Sequence, residues 1–211
     1  MDKPSIGIVG AGRLGTALAR GLSGAGYEVA IINSRGVDSL SLQLSILMPG
    51  VRAMALPEMT GWADVIILAI PLPRYKEIDP VLLNGKIVID AMNYWPPVDG
   101  KLPEFDAYSG SSSELVARNL PGARVIKTFN SVAYGELEEQ ALPSGTPNRR
   151  AIPLAGDDNE VKNIASMLID AIGFEPVDLG GLAYGVLFQP DTELFNARLT
   201  KSQIINLVHK N

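Results

Sequence analysis

The sequence contains no cysteine and a single histidine, His209, among its 211 residues. The absence of cysteine excludes disulfides, thiolate catalysis and metal sites built from cysteine ligands. One histidine close to the end of the sequence is a poor basis for acid–base catalysis or for a histidine-rich metal centre. We therefore predict no metal site and no catalytic acid or base of this type.

Positive charge and long apolar runs are also scarce. The net charge is −5 and the isoelectric point is near 4.9, whereas nucleic-acid binding needs a basic face. The longest strongly apolar run, residues 65–72, is far shorter than the roughly 20 residues that cross a bilayer. Because residues 1–4 lead directly into the first predicted strand, we expect no signal peptide before it. These features predict a cytoplasmic protein that binds neither nucleic acid nor membranes.

Residues 5–33 have the pattern of a strand, a glycine-rich turn, a helix and a second strand. The turn is Gly-Ala-Gly-Arg-Leu-Gly at residues 10–15. In such a turn Gly10 permits the tight bend, Gly12 lets the backbone approach a pyrophosphate, and Gly15 lets helix and strand pack closely. The flanking pattern is that of a dinucleotide fingerprint.

The residues after the second strand indicate which nucleotide binds. The sequence there is Asn33, Ser34 and Arg35, and the next acidic residue is Asp38. Enzymes that prefer NAD usually place a carboxylate here to hold the ribose 2′-hydroxyl. An arginine beside a serine instead suits a 2′-phosphate, so the pattern favours NADP, the alternative being a solvated surface arginine.

Strands and helices alternate along the rest of the chain. Predicted strands lie at residues 6–9, 28–32, 51–56, 64–71, 85–90, 123–128, 151–156 and 175–179. A helix over residues 111–119 is expected to be capped by Ser112 or Ser113. The alternation predicts a Rossmann-like α/β fold with a doubly wound, mostly parallel sheet and helices on both faces. We expect one domain, 1–211, with 180–211 as a small extension that completes the site or a dimer interface.

In such sheets, ligands bind beyond the carboxyl ends of the strands. Five segments should therefore meet: 10–14, 34–35, 70–71, 92–93 and 128–131. If the first two hold the phosphates and adenosine, the later ones should border the nicotinamide. The expected contacts there are Ile70, Pro71, Met92, Asn93, Asn130 and Ser131. The polar ones could equally bond their own backbone in turns.

Few side chains could donate a proton to an alcohol or carbonyl substrate. The Tyr-x-x-x-Lys pair of short-chain dehydrogenases is missing behind every tyrosine. Lys127 and Thr128 end a predicted strand near the site and are our candidate substrate contacts, although a lysine at a sheet edge is often merely solvated. Hydride transfer to a flavin-like ring demands less, because the cofactor carries the chemistry.

Several motifs together resemble the NADP oxidoreductases that depend on coenzyme F420, including the short predicted dinucleotide-binding proteins grouped with them. The resemblance covers nearly the whole chain. The motifs are GAGRLG at 10–15, NSR at 33–35, DAMNYWPP at 90–97, VIKTFN at 125–130, LAGDD at 154–158 and GFEPVDLG at 173–180.

The resemblance implies hydride exchange between NADPH and the deazaflavin F420 without an obligatory side-chain acid or base. By position, it implies that the pyrophosphate is contacted by Ala11, Gly12, Arg13 and Leu14. It places Ser34 and Arg35 on the 2′-phosphate, and Ile70, Pro71 and Ser131 along the cofactor. The deazaflavin enzymes carry histidine where Lys127 stands and tend to have a further basic residue near Ser39.

Other acceptors and functions remain open. Residues 125–130 and 156–158 are equally similar to the cytosolic domain of the membrane-bound metalloreductases, so FMN, FAD or a ferric complex could replace F420. Imine and carbonyl reductases share the N-terminal pattern but complete their site with a helical domain of roughly 100 residues. A sensor that binds NADP without turnover is the third hypothesis. The apolar residues of 187–208 favour a homodimer.

Overall fold

The computed structural model describes residues 3–210, apart from the side chains of Leu42 and Gln43. The predicted domain 1–211 therefore extends beyond the described residues at both ends. The strands within the described range are β1 (Ile6–Val9), β2 (Val29–Ile32), β3 (Val51–Ala53), β4 (Val65–Leu68), β5 (Ile87–Asp90), β6 (Arg124–Lys127), β7 (Ala151–Gly156) and β8 (Glu175–Asp178).

The strands are connected by α-helices and 3₁₀ segments. The α-helices in the described range are α1 (Arg13–Gly24), α2 (Asp38–Leu47), α3 (Leu56–Trp62), α4 (Pro96–Asp99), α5 (Pro103–Asp106), α6 (Ser112–Asn119), α7 (Glu136–Glu139), α8 (Asn159–Ala171) and α9 (Lys201–Val208). The 3₁₀ segments are Leu72–Glu77, Pro80–Leu83 and Leu182–Phe188. No helix within residues 3–210 is long and apolar enough to cross a membrane.

The strands form one sheet in the order β3-β2-β1-β4-β5-β6-β7-β8. The first six are parallel, β7 runs antiparallel to β6, and β8 is parallel to β7. The predicted Rossmann-like, doubly wound and mostly parallel sheet is thus confirmed. Chain order reverses between β1 and β4, which is where such sheets bind ligands.

Both faces of the sheet are covered, as the apolar runs of the strands require. Alternate residues of each strand face opposite sides. Ile8 and Ile67 belong to the core beneath α1 and α8, whereas Ile66 and Leu68 belong to the core on the opposite face. Helices on both faces follow from central strands such as β2 and β4, which are apolar at every position.

Two local predictions needed correction. The predicted strand 51–56 ends at Ala53, and α3 begins at Leu56 with Pro57 in its first turn, where proline suits a helix start. The cap of α6 is Ser111, not Ser112 or Ser113. Ser111 and Glu114 form a reciprocal capping box, which leaves the next two serine side chains free to face the sheet.

The C-terminal extension packs against the end of the sheet. Phe188, Leu194 and Ile204 share a small core with Ala151, Ala155 and Val177 of β7 and β8. The Asn196 amide donates to the Ser131 carbonyl at 3.0 Å, just beyond β6. Residues 180–210 therefore lie partly over the carboxyl end of β6.

The contact between β1 and α1 depends on glycine. Gly10 has φ of +119°, which favours glycine, and a Cβ on Gly15 would lie 1.8 Å from the Gly10 carbonyl oxygen. No side chain fits between the turn and the helix. This contact brings the N-terminus of α1 close to the end of β1.

We expect Gly15→Ala to lower the free energy of unfolding by about 1–3 kcal/mol, because the methyl group forces the helix away from the turn. Urea titration followed by circular dichroism measures the change. Gly24→Ala is the matched control, since nothing described lies within 4 Å of its Cβ position. That variant should be neutral or more stable by up to about 1 kcal/mol. Equal stability of the two variants would contradict the packing argument.

Candidate functional site

The predicted strand-end segments meet at the carboxyl edge of the parallel strands. A cavity of about 190 Å³ opens there beside β1, between the loop after β2 and the segment after β4. Gly10, Asn33, Ser34 and Ile70 line it, with Arg74 and Glu77 on the wall formed by Leu72–Glu77. We call it the strand-end cavity. Its remaining lining is apolar and comes from Val9, Ile32, Leu56 and Ile78.

The loop after β2 is shaped by the side chain of Asn33. Its Oδ1 accepts the Arg35 backbone N–H at 2.8 Å and the Ser39 hydroxyl at 3.1 Å. This local turn leaves the side chains of Ser34 and Arg35 exposed. Within residues 3–210 the Arg35 guanidinium has no hydrogen-bond or ion-pair partner. A charged, unpaired group at this edge is available to an anion.

The turn into α1 is open at the position that a pyrophosphate would approach. A Cβ on Gly12 would meet no described atom within 4 Å. Gly12 and Arg13 are exposed, and Ala11 and Leu14 are half-buried. The backbone N–H groups at a helix N-terminus attract phosphate. The residues here fit the phosphate half of a dinucleotide.

Arg13 already has an aromatic partner from the far side of the site. Its Nη1 donates to the Tyr134 hydroxyl at 2.7 Å, and its Cζ lies 5.3 Å from the centre of the tyrosine ring. Both side chains are exposed. This contact connects the fingerprint turn to the loop after β6.

The residues beyond β5 and β6 are joined by an amide pair. Asn93 Nδ2 donates to the Asn130 carbonyl at 2.8 Å, and Asn130 Nδ2 donates to Asn93 Oδ1 at 3.0 Å and to the Phe188 carbonyl at 2.9 Å. Asn130 Oδ1 and the Ser131 hydroxyl are buried and without a partner among the described residues. A buried polar atom without a hydrogen-bond partner destabilises the fold, and such atoms are rare in native structures. Here two of them lie in adjacent residues just beyond β6.

A buried lysine, Lys127, is hydrogen-bonded to the residue that precedes Asn93. Lys127 is fully buried, and its Nζ donates to the Met92 carbonyl at 3.3 Å and to the hydroxyls of Ser112 at 3.1 Å and Ser113 at 3.2 Å. Ser113 donates in turn to Asp90 Oδ2 at 2.6 Å. Asp90 is opposite Lys127 in the pairing of β5 with β6. We call these four side chains, Asp90, Ser112, Ser113 and Lys127, the buried charge network.

Burial lowers the pKa of Lys127, and the negative charge of Asp90 opposes that shift. Three oxygen acceptors around one nitrogen match the three donors of an ammonium group. The interpretation of Lys127 as a solvated edge residue is therefore wrong. Met92 is held by the same network, because its N–H donates to Asp90 Oδ1 at 2.9 Å.

Apart from Gly10, which is buried in the turn after β1, the predicted site residues divide into two groups. Those that a ligand could reach are exposed or half-buried: Ala11, Gly12, Arg13, Leu14, Ser34, Arg35, Ile70, Pro71 and Asn93. The buried ones with side chains in protein contacts are Met92, Lys127, Thr128, Asn130 and Ser131. Thr128, for example, donates to the Pro153 carbonyl at 2.9 Å. A direct substrate contact by Lys127 or Thr128 stays a prediction, and their burial favours a supporting role.

Three residues at the strand-end cavity escaped the sequence reasoning: Asn33 as the residue that shapes its loop, and Arg74 and Glu77 on the opposite wall. The signal for the last two was weak. A basic and an acidic residue three positions apart follow the central strand β4, in a stretch whose prolines indicated only that the strand ends.

A family model described as NADP oxidoreductase, coenzyme F420-dependent, matches residues 5–94. Metalloreductase STEAP3 of Rattus norvegicus is 30% identical over 185 residues, which cover 86% of this chain and 35% of the relative. The chain thus spans about a third of the length of the curated relative that it matches.

Two solved structures match over most of both chains. The hypothetical protein SMa0349 from Sinorhizobium meliloti is 33% identical with a TM-score of 0.81, over 94% of this chain and 96% of that chain. A candidate F420-dependent NADP reductase from Arthrobacter sp. FB24 is 22% identical with a TM-score of 0.71, over 87% of each chain. At 22% identity, the likeness to the Arthrobacter protein shows only that the two chains share a fold.

We expect Lys127→Met to lower the free energy of unfolding by about 3 kcal/mol, because the substitution leaves the Asp90 carboxylate buried without its cation. Urea titration at neutral pH measures the loss. Lys101→Met, at an exposed lysine, should change stability by less than about 0.5 kcal/mol.

The double variant Asp90→Asn/Lys127→Met separates charge pairing from packing. It should be less destabilised than the sum of the two single variants, since neither charge is then left alone. Additive losses, or a Lys127→Met variant as stable as the control, would show that the two charges are not coupled.

Proposed function

We propose that this chain, whose residues 5–94 match the family model of the F420-dependent NADP oxidoreductases, transfers a hydride between NADPH and a flavin-type acceptor. Coenzyme F420 is the acceptor proposed first. The observation that carries the cofactor half is the loop after β2, where Ser34 lines the strand-end cavity. The next residue, Arg35, is exposed and its guanidinium has no partner within residues 3–210. An exposed cation here is what a 2′-phosphate requires.

Each part of the site has a proposed role. The open turn at Ala11, Gly12, Arg13 and Leu14 would hold the pyrophosphate. Ile70 and Pro71 would lie along the nucleotide, and Asn93, Asn130 and Ser131 would border the nicotinamide. When bound, NADPH supplies a hydride that, with one solvent proton, reduces the acceptor ring. The chain's own residues need only align the two rings, so no side-chain acid or base is assigned.

The buried charge network would keep the floor of this region rigid. Lys127 holds the Met92 carbonyl, and Asp90 holds the Met92 N–H, so the chain between β5 and Asn93 is tied on both sides. Asn93 in turn pairs with Asn130. Lys127 and Thr128 thus act through their neighbours in this proposal, and the acceptor contacts Asn93 and the loops around it.

A second acceptor class comes from the metalloreductase relative. Its name, metalloreductase, supports a ferric complex as an alternative to F420. The resemblance of residues 125–130 and 156–158 to the cytosolic domain of the membrane-bound metalloreductases adds FMN and FAD as flavin acceptors. The other hypotheses are reduction of a small imine or carbonyl, and an NADP-binding sensor without turnover.

Assembly and location stay proposals. Within the C-terminal extension, Leu187, Leu194, Leu207 and Val208 border an apolar cavity of about 190 Å³ that a second copy of the chain could cover. Such a surface supports a homodimer. The acidic charge and the cofactor support a cytoplasmic location.

The cofactor is tested by titrating NADPH and NADH against the wild type and Arg35→Ala. The wild type should prefer NADPH, and the variant should lose about 1.5–3 kcal/mol of that preference, or about ten- to a hundredfold in affinity. NADH should bind the two proteins alike. Arg52→Ala is the matched control, because Arg52 is an exposed arginine in a 3.0 Å ion pair with Glu28. Equal binding of both nucleotides by the wild type would overturn the NADP assignment.

Turnover is tested by following NADPH oxidation with F420, FMN, FAD, a cyclic imine and a ferric complex in parallel. We expect reduction of F420 at a rate well above that with the imine. In Arg35→Ala the KM for NADPH should rise while kcat is largely kept, since the lost contact is remote from the transferred hydride. Tight NADPH binding without oxidation by any acceptor would favour the sensor, and turnover with the imine alone would favour the imine reductase.

A further inference from the structure

Arg74 places a positive charge on the strand-end cavity, on the wall opposite Ser34. It lies in the 3₁₀ segment Leu72–Glu77, which follows β4, whereas Ser34 follows β2. The two residues are 40 positions apart in the sequence but line one space of about 190 Å³. A ligand held in the cavity would therefore touch both walls.

The Arg74 side chain is held in place by Glu77. Nε lies 3.1 Å from Oε1 and 2.9 Å from Oε2 of the carboxylate, and Nη2 lies 2.5 Å from Oε2. This two-pronged geometry fixes the plane of the guanidinium. Nη1 takes no part in these bonds, so one edge of the group remains available to an anion.

Glu77 lines the same cavity and would repel a phosphate if it stood alone. The hydrogen bond from Arg74 lowers the pKa of Glu77, so the carboxylate is ionised at neutral pH. A carboxylate can accept the ribose hydroxyls of NAD, as the acid at the end of the second strand does in enzymes that prefer NAD. In this chain the arginine neutralises the one acid on the wall.

We propose that Arg74 is a specificity-determining residue that binds the 2′-phosphate of NADP(H) from the wall opposite Ser34, with Glu77 as its positioning residue. The inference rests on the proposed NADP-dependent function and adds a second arginine to the contact made by Arg35. The pair also acts against NAD, because Arg74 occupies the carboxylate that could otherwise accept the ribose hydroxyls.

The experiment measures the affinities of adenosine 2′,5′-bisphosphate and AMP, and of NADPH and NADH, for four proteins. These are the wild type, Arg74→Gln, Arg74→Gln/Glu77→Gln and the control Arg52→Gln. Arg52 also pairs with a glutamate and is similarly exposed, but it lies on β3 and does not line the cavity. The adenosine compounds test the cavity without the nicotinamide half.

Arg74→Gln should weaken the 2′-phosphate compounds about five- to tenfold and leave AMP and NADH within about twofold or slightly tighter. The double variant should recover part of the loss, because Glu77 no longer opposes the phosphate. Arg52→Gln should bind all four ligands like the wild type. The difference between the single variant and the wild type should shrink at high salt, as expected for a screened charge contact.

Three outcomes distinguish failure of the inference from failure of the proposed function. If the wild type prefers NADPH and Arg74→Gln keeps the full preference, Arg74 is not a phosphate contact, although the NADP assignment stands. If all four ligands weaken equally in Arg74→Gln, the residue only maintains the shape of the cavity, and the inference is again wrong. If the wild type shows no preference for a 2′-phosphate, the proposed function itself fails.

Discussion

The contact between Gly15 and the Gly10 carbonyl is the constraint from which the site is built. A methyl group at Gly15 would lie 1.8 Å from that oxygen, so helix α1 sits as close to the end of β1 as two backbones allow. This closeness brings the helix N-terminus to the carboxyl edge of the sheet, where Gly12 is open. The positive end of the helix dipole and the free N–H groups then lie where phosphate is wanted.

A second constraint acts on the other side of the reversal in strand order. Lys127 and Asp90 face each other on β6 and β5, fully buried, and are connected through Ser113. Burying a charge is costly unless it is paired and hydrogen-bonded, and this network supplies both. It ties Met92 by both its N–H and its carbonyl, which holds the strand end that leads to Asn93.

The two halves of the site therefore differ in character. The half proposed to hold the phosphates and adenosine is exposed, and the charges proposed to act there, Arg35 and Arg74, lie at the surface. The half beyond β5 and β6 is buried and held by amides and by the C-terminal extension through the Phe188 carbonyl. An exposed cationic half suits recognition of a charged group, and a rigid buried half suits alignment of two rings. The division agrees with an enzyme that binds its cofactor by phosphates and leaves the hydride step to positioning.

The sequence by itself determined the Rossmann-like fold, the fingerprint turn and the cofactor hypothesis, because each rests on a pattern within about 30 residues. The strands could be recognised because most of their positions are apolar. The NADP hypothesis came from Arg35, the third residue after the end of β2. Only the tertiary structure decided which polar residues are buried and which meet. Lys127 is paired rather than solvated because strand pairing brings Asp90 to it from 37 positions earlier in the chain. Arg74 shares a cavity with Ser34 because β4 and β2 lie on either side of β1 in the sheet, an order that local periodicity does not encode.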